Sequence, residues 1–219
     1  MKKILSVVLL ICLAFSMLVV TTACSGASKG LEFELSEDGT SYIVVGRGSC
    51  NDTELVIPKK HEKLPVTAIA NEAFKSWTEL TSVTIPGSVK TIGDKAFAFC
   101  AGITEIKVEN GVESIGAEAF RGCSELEAVV LPESTVRIGE RAFAYCTSLV
   151  DFTLKSTSMT FGDRVFEYNK VIERISFGGT IEEWKTKVQY ESEDRATIEW
   201  RYTTHIERVH CSDGAYFLD

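Results

Sequence analysis

The sequence predicts a repeat solenoid, in which about six rungs stack around a continuous core between two caps. Apolar residues recur every 23 residues along the middle of the chain. Within each unit, a short stretch has the spacing of two that is typical of a strand, and the rest does not. The composition agrees with a packed core, because 45% of the 219 residues are hydrophobic and 25% are charged. A unit of this length cannot bury its own apolar side, so neighbouring units must stack.

Residues 1–23 are predicted to be a secretory leader. Lys2 and Lys3 precede an apolar stretch from Ile4 to Val20, and small residues then lead to Cys24. This ending resembles the lipobox of bacterial lipoproteins, although Thr21 stands where an aliphatic residue is usual. The resemblance implies cleavage before Cys24, a diacylglycerol on its thiol, a tether over residues 24–30 and a membrane-anchored, extracytoplasmic protein on the bacterial cell surface. A secreted protein without a lipid is the alternative.

The repeats themselves are defined by columns of apolar residues. The clearest are Ile69, Ile92, Ile115, Ile138 and Phe161, and Phe74, Phe97, Phe120, Phe143 and Phe166. Within one unit, Val129 and Leu131 alternate as in a strand that points both side chains inward. The Gly that follows each Ile suits either a turn of unusual geometry or close contact between coils. Asp94 and Asp163, which come next, suit the first turn of a short helix, so an α/β unit of strand, turn, short helical turn and turn is predicted.

The motif Ile-Gly-x-x-Ala-Phe-x-x-Cys-x-x-Leu-x-x-Val-x-Leu-Pro at residues 115–132 resembles the leucine-rich repeats of BspA-type bacterial surface proteins. The resemblance divides the mature chain into three parts. Residues 31–65 are an N-terminal cap hairpin that turns at Asp38-Gly39, followed by a first rung with an insertion near Lys59 to Lys63. Residues 66–177 hold five repeats of 23 residues, and residues 178–219 form the C-terminal cap. A parallel sheet of about six rungs follows from this arrangement.

Three cysteines form a column along the stack, since Cys100, Cys123 and Cys146 each follow the repeat Phe by three residues. Parallel thiols in a row cannot converge on one tetrahedral metal, so they are predicted to be buried free thiols that fill space. Cys50 and Cys211 belong to opposite caps and are predicted to be too far apart for a disulfide. His205 and His210 point to opposite faces of a strand, which disfavours a metal site with Cys211. No metal, cofactor or catalytic group is predicted.

Two rows of residues should face solvent on the sheet, and they form the candidate binding face. Their candidate residues are Glu54, Ser82, Thr84, Glu105, Lys107, Asp151, Thr153, Arg174 and Ser176. The concave face of a repeat protein is where recognition usually occurs. Phe99, Tyr145 and Tyr168 share a second edge, where they either pack at the rim of the stack or form a recognition stripe.

The net charge of −8 and the lack of a basic run exclude nucleic acid as a partner. The resemblance to BspA-type proteins implies attachment to other proteins or cells. The predicted function is therefore a monomeric, non-catalytic, surface-anchored module that binds a protein or glycan. A structural or assembly role in the bacterial envelope is the alternative, and a hydrolase is a remote one.

Overall fold

The computed structural model describes residues 26–190 and 208–217. The predicted leader, Cys24 and His205 lie outside these residues. Within them the chain forms a continuous stack of coils. Most of its strands form two parallel rows, which lie on different sides of each coil. The predicted solenoid is confirmed.

The first row is a sheet whose order is β1, β2, β5, β7, β9, β11, β13 and β15, with β4 at its side. The strands are β1 (Glu32–Leu35), β2 (Tyr42–Gly46), β4 (Lys60–His61), β5 (Leu64–Ile69), β7 (Thr91–Ile92), β9 (Ser114–Ile115), β11 (Arg137–Ile138), β13 (Met159–Phe161) and β15 (Val188–Tyr190). The sequence predicted a parallel sheet along one face only. The row described here was not predicted, because strands of two residues are too short to show an alternating pattern.

The second row is the predicted sheet of the repeats. Its strands are β3 (Glu54–Val56), β6 (Ser82–Ile85), β8 (Glu105–Val108), β10 (Ala128–Leu131), β12 (Asp151–Leu154), β14 (Arg174–Phe177), β16 (Arg208–Cys211) and β17 (Gly214–Phe217). It divides between β8 and β10 into sheets of three and five strands. At this division Pro132 lacks the N–H that Lys155, at the corresponding point one rung later, donates to Leu131 O.

The turns of the repeats are not helical, so that detail of the prediction is wrong. Two residues in each turn have positive φ, as in Glu118 (55°) and Gly122 (74°), and a right-handed helix requires negative φ throughout. Alternate N–H groups instead bind the next coil: Glu118 N donates to Glu140 O (2.7 Å) and Phe120 N to Ala142 O (2.8 Å). These hydrogen bonds join neighbouring coils.

The glycines that recur every 23 residues allow close contact between coils rather than an unusual turn. A Cβ on Gly139 would lie 2.6 Å from Ala117 N, and one on Gly162 would lie 2.3 Å from Glu140 N. Neither glycine has positive φ. Of the two roles left open for these glycines, the structure therefore supports contact between the coils.

Aromatic rings of the repeat Phe column form the centre of the core. The ring centroids of Phe74, Phe97, Phe120 and Phe143 are separated by 5.1, 5.2 and 5.3 Å, and adjacent rings are nearly parallel. All four rings are buried. Identical side chains can stack in this way because the 23-residue period places equivalent atoms directly above one another.

The N-terminal cap begins with the antiparallel hairpin of β1 and β2, and the Asp38 carboxylate in its turn accepts hydrogen bonds from Ser36 and Thr40. The insertion in the first rung forms a second hairpin, in which β4 pairs with β5. Glu62 and Lys63 at its tip both have positive φ (46° and 75°), which is the pattern of a type I′ turn.

The C-terminal cap contains helix α1 (Ile181–Lys187). Its N-cap is Thr180, whose side chain accepts from Glu183 N while the Glu183 carboxylate accepts from Thr180 N. Trp184 is buried and its ring lies edge-on to Phe177, with centroids 5.1 Å apart. The C-terminal cap thus contains a capped helix that covers the last rungs.

Candidate binding surfaces

The predicted binding face lies on the second row of strands. Glu54 pairs with Ser82 and Ser82 with Glu105; in the next sheet Ala128 pairs with Asp151 and Asp151 with Arg174. The parallel row follows the same order: Val56, Thr84 and Lys107, then Val130, Thr153 and Ser176. The structure therefore brings the nine predicted residues into two regular rows.

Exposure differs along these rows. Glu54, Glu105, Lys107 and Arg174 are exposed, whereas Ser82, Thr84, Asp151, Thr153 and Ser176 are partly buried. Arg174 Nη1 lies 3.2 Å from Asp151 Oδ1 on the adjacent strand, so these opposite charges offset each other. This face offers mixed polar side chains and no stripe of one charge sign.

One carboxylate beside this face is held by several partners. Burial raises the pKa of Glu109, but a hydrogen bond from Gly87 N and the ammonium group of Lys59 outweigh it and hold the pKa below its ordinary value. Glu109 is therefore ionised at neutral pH. It serves to join the loops of neighbouring rungs.

A second surface lies on the turns, where four side chains from successive rungs stack on one another. We name it the turn-edge stack: Phe99, Arg121, Tyr145 and Tyr168. The Arg121 guanidinium carbon is 5.4 Å from the Phe99 ring centroid and 5.1 Å from that of Tyr145. The rings of Tyr145 and Tyr168 are stacked with centroids 4.6 Å apart. The guanidinium group thus contacts aromatic rings on both sides.

The backbone explains how this stack forms. Phe99, Gly122, Tyr145 and Tyr168 occupy the same place in successive turns, with φ between 60° and 74°. Gly122 has no side chain, and a Cβ there would lie 2.8 Å from Phe99 Cδ1, so the Phe99 ring leans into the space. Arg121, from the preceding position, fills the remaining gap between the rings.

Arg121 is oriented by one carboxylate as well as by the rings. Its Nη1 donates to Glu118 Oε2 at 2.7 Å, and its Nε is buried without a hydrogen-bond partner. Sequence analysis identified the aromatic column but missed Arg121, because Arg121 belongs to the neighbouring column. An arginine directly before the glycine that interrupts the aromatic column was the available signal.

The cysteine column is buried and its thiols are free, as predicted. Each thiol also has a role beyond filling space, because Cys100, Cys123 and Cys146 donate from Sγ to the carbonyl oxygens of Phe74, Phe97 and Phe120 at 3.1, 3.5 and 3.2 Å. Asn169 takes over this role in the last repeat, donating from Nδ2 to Phe143 O at 2.7 Å. Burial raises the pKa of Cys100 to about 11, which makes its thiol unreactive at neutral pH.

The remaining predicted groups form no further site in the described part of the chain. Cys50 and Cys211 are both free there. No three His, Cys, Asp or Glu side chains in residues 26–190 and 208–217 are grouped as metal ligands, and His210 lies on β16. No helix in the same ranges is long and apolar enough to span a membrane.

Comparison with known proteins agrees with the stacked coils. In structure, the chain is similar to a leucine-rich repeat protein of T. pallidum, with a TM-score of 0.64 and 28% identity over 71% of this chain and 73% of that one. It is also similar to the pneumococcal vaccine antigen PcpA, with a TM-score of 0.55 and 18% identity over 82% of this chain and 46% of PcpA. A leucine-rich cell surface protein of Faecalibacterium prausnitzii matches with a TM-score of 0.49 and 22% identity, over 89% of this chain and 58% of that one.

A comparison with curated protein sequences gives no significant match. The family described as the BspA type leucine rich repeat region matches residues 67–194 in six copies. This range contains every strand from β6 to β15 and all of the Phe and Cys columns. The chain therefore belongs to the BspA-type leucine-rich repeat family.

Proposed function

We propose that the protein is a non-enzymatic binding module that is displayed on the outer surface of a bacterial cell and binds a protein or glycan there. The observation that carries this proposal is the array of solvent-facing side chains on a periodic backbone. Parallel pairing between successive strands sets the spacing of the outward rows, and buried columns hold the backbone beneath them. A surface that is rigid before binding loses little conformational entropy when a partner docks.

Membership of the BspA-type family and the leader predicted over residues 1–23 support a surface location. A lipid on Cys24 would anchor the module. The tether predicted over residues 24–30 would be shorter than that range, because Ser28 is already bound to the N-terminal cap. Ser28 N donates to Val56 O and Ser28 Oγ accepts from Val56 N, so the chain near the tether covers the edge of β3. A covered edge disfavours edge-to-edge association of strands, which supports a monomer.

Binding can be tested with the mature full-length domain immobilised and presented with purified host matrix proteins, with oligosaccharides and with envelope proteins of the producing cell. We expect saturable binding to a host protein or glycan. Arg174→Ala and Lys107→Ala test the sheet face, and Lys29→Ala is a matched change of charge in the tether. Binding only to the cell's own envelope proteins would contradict this proposal and support an assembly role.

Anchoring can be tested separately with Cys24→Ala. We expect processing of the wild type to be sensitive to globomycin, and we expect the variant to lose membrane association because it has no thiol to accept the lipid. Cys50→Ala is the control, since Cys50 is buried in the N-terminal cap. Unchanged membrane retention of Cys24→Ala would instead identify an uncleaved leader as the anchor.

A further inference from the structure

We propose that the turn-edge stack is the anchoring site for a protein partner, and that it takes an extended segment with a carboxylate side chain between apolar residues. This inference rests on the proposed binding function and names the surface and the partner chemistry. It places the principal contacts on the turns rather than on the sheet face.

The stack has the length of a short extended peptide. Its four side chains come from four successive rungs, and rungs in parallel sheets lie about 4.8 Å apart, so Phe99 and Tyr168 are separated by about 14 Å along the stack. An extended chain advances about 3.4 Å per residue, so about four residues span this distance. A segment aligned with the solenoid axis can therefore contact all four side chains.

The arrangement of the rings favours a protein over a glycan. Tyr145 has both ring faces covered, one by Arg121 and one by Tyr168, and Phe99 and Tyr168 each have one face covered. A saccharide stacks on open ring faces, and this surface has no two neighbouring open faces. What it presents to solvent is a series of ring edges, which suit the side chains of a peptide.

Electrostatics favour a negatively charged segment. Aromatic edges have a positive partial charge. The Arg121 guanidinium adds positive charge at the middle of the stack, which Glu118 offsets only in part because Lys95 Nζ also lies 4.0 Å from that carboxylate. The nearby carboxylates already have partners: Glu118 is paired with Arg121, and both Glu140 and Glu167 are paired with Arg141 at 2.8 and 2.7 Å. The stack is thus a site that attracts anions locally, although the net charge of the whole chain is −8.

The guanidinium group is also preorganised for this role. Contacts with two rings and one hydrogen bond to Glu118 hold its plane. Nε is buried and one Nη1 hydrogen is used by Glu118, so the edge formed by Nη1 and Nη2 is left to bind a carboxylate in bidentate geometry. Phe99 and Tyr168 at the ends are 44% and 46% exposed, which is unusual for large aromatic residues. Arginine and tyrosine are enriched among the residues that dominate protein interfaces.

The test uses the mature full-length domain and a library of heptapeptides that vary Asp or Glu between apolar residues, with Asn- or Gln-substituted copies as a charge control. We expect selected peptides to carry the carboxylate, and Arg121→Lys to weaken their binding by about tenfold because it keeps the charge but loses the planar fork. Arg174→Lys is the matched control on the sheet face, and we expect it to change affinity by less than about twofold. Thermal melting of both variants checks that the fold is unchanged.

Several outcomes would overturn the inference: equal affinity for amide and carboxylate peptides, unchanged binding by Arg121→Lys, or selective binding of oligosaccharides. If Arg174→Lys rather than Arg121→Lys weakens binding, this inference fails and the proposed binding function stands. If neither peptides, host proteins, oligosaccharides nor envelope proteins bind, both fail.

Discussion

Phe97 and Phe99 lie two residues apart in the same turn, yet Phe97 is fully buried and Phe99 is 44% exposed. Phe97 belongs to the inner column, which has Phe in every repeat. Phe99 belongs to the outer column, which runs Ser76, Phe99, Gly122, Tyr145 and Tyr168. Both columns lie on the same turns, but the side chain points into the core at one position and into solvent at the other.

This difference shows which constraint acts on each column. The inner rings contact each other at 5.1 to 5.3 Å between Phe74 and Phe143, so a smaller side chain leaves a cavity. The outer residues all have positive φ but only one of them is glycine. The left-handed backbone costs about 1 kcal/mol at a non-glycine residue, and the hydrogen bonds between coils offset this cost. Core packing therefore leaves the outer column free to vary, and this freedom allows it to serve recognition.

The largest effect is expected from Phe120→Ala, which removes a central ring of the inner column. The loss of buried apolar contacts and the resulting cavity should lower the free energy of unfolding by about 3 to 5 kcal/mol. Urea denaturation measures this change. A change below about 1 kcal/mol would show that the ring does not support the stack.

A comparable effect is expected from alkaline pH, because the inner side of the turns also holds the thiol column. Burial raises the pKa of Cys100 from its ordinary 9.0 to about 11 and that of Cys146 to about 12. Between pH 9 and these values the unfolded chain binds fewer protons than the folded chain. The contribution of these thiols to the free energy of unfolding is therefore fully present below pH 9 and falls as the pH rises.

Each of these thiols should contribute a loss of about 1.4 kcal/mol per pH unit in that window. Urea denaturation at a series of pH values measures the slope. Cys146→Ser is the control, since a hydroxyl group does not titrate there and the slope should become shallower. An identical slope in the variant would mean that the Cys146 thiol is not protected by the fold.

A smaller effect is expected from Cys146→Ala, which removes one of the two donors to Phe120 O and leaves only Cys123 N. The net contribution of one intramolecular hydrogen bond is about 0.5 to 1.5 kcal/mol, so the variant should be less stable than wild type by about that amount. Cys146→Ser is the matched comparison, because it removes the sulfur but keeps a donor. If serine and alanine destabilise the protein equally, the hydrogen bond contributes nothing.

The smallest effect is expected from Tyr168→Ser in the outer column. Because Tyr168 is 46% exposed, loss of its stacking on Tyr145 should lower stability by less than about 1 kcal/mol. Urea denaturation and heptapeptide binding measured on one sample sharpen the contrast with Phe120→Ala. A destabilisation as large as that of Phe120→Ala would assign the outer column to the core.

The core was predictable because every repeat carries the same signal. The Phe and Cys columns and the register of the strands follow from counting 23 residues, and the pairing of Val129 with Phe152 and then Ile175 agrees with that count. The turns were not predictable in the same way. Acidic residues after the glycines favour a helix locally, but hydrogen bonds to the next coil, such as Phe120 N to Ala142 O, impose positive φ on residues beside them.

The 23-residue pattern thus determined the stack and the buried columns, because stacking requires equivalent residues at equal intervals. Only the tertiary structure decided the second sheet, the left-handed turns and the turn-edge stack. Each of these depends on contacts between rungs: Phe99 needs the space above Gly122, and Arg121 needs a ring from each neighbouring rung. The contacts of a surface residue depend on its neighbours in the adjacent coils, and these neighbours cannot be identified from spacing along the sequence alone.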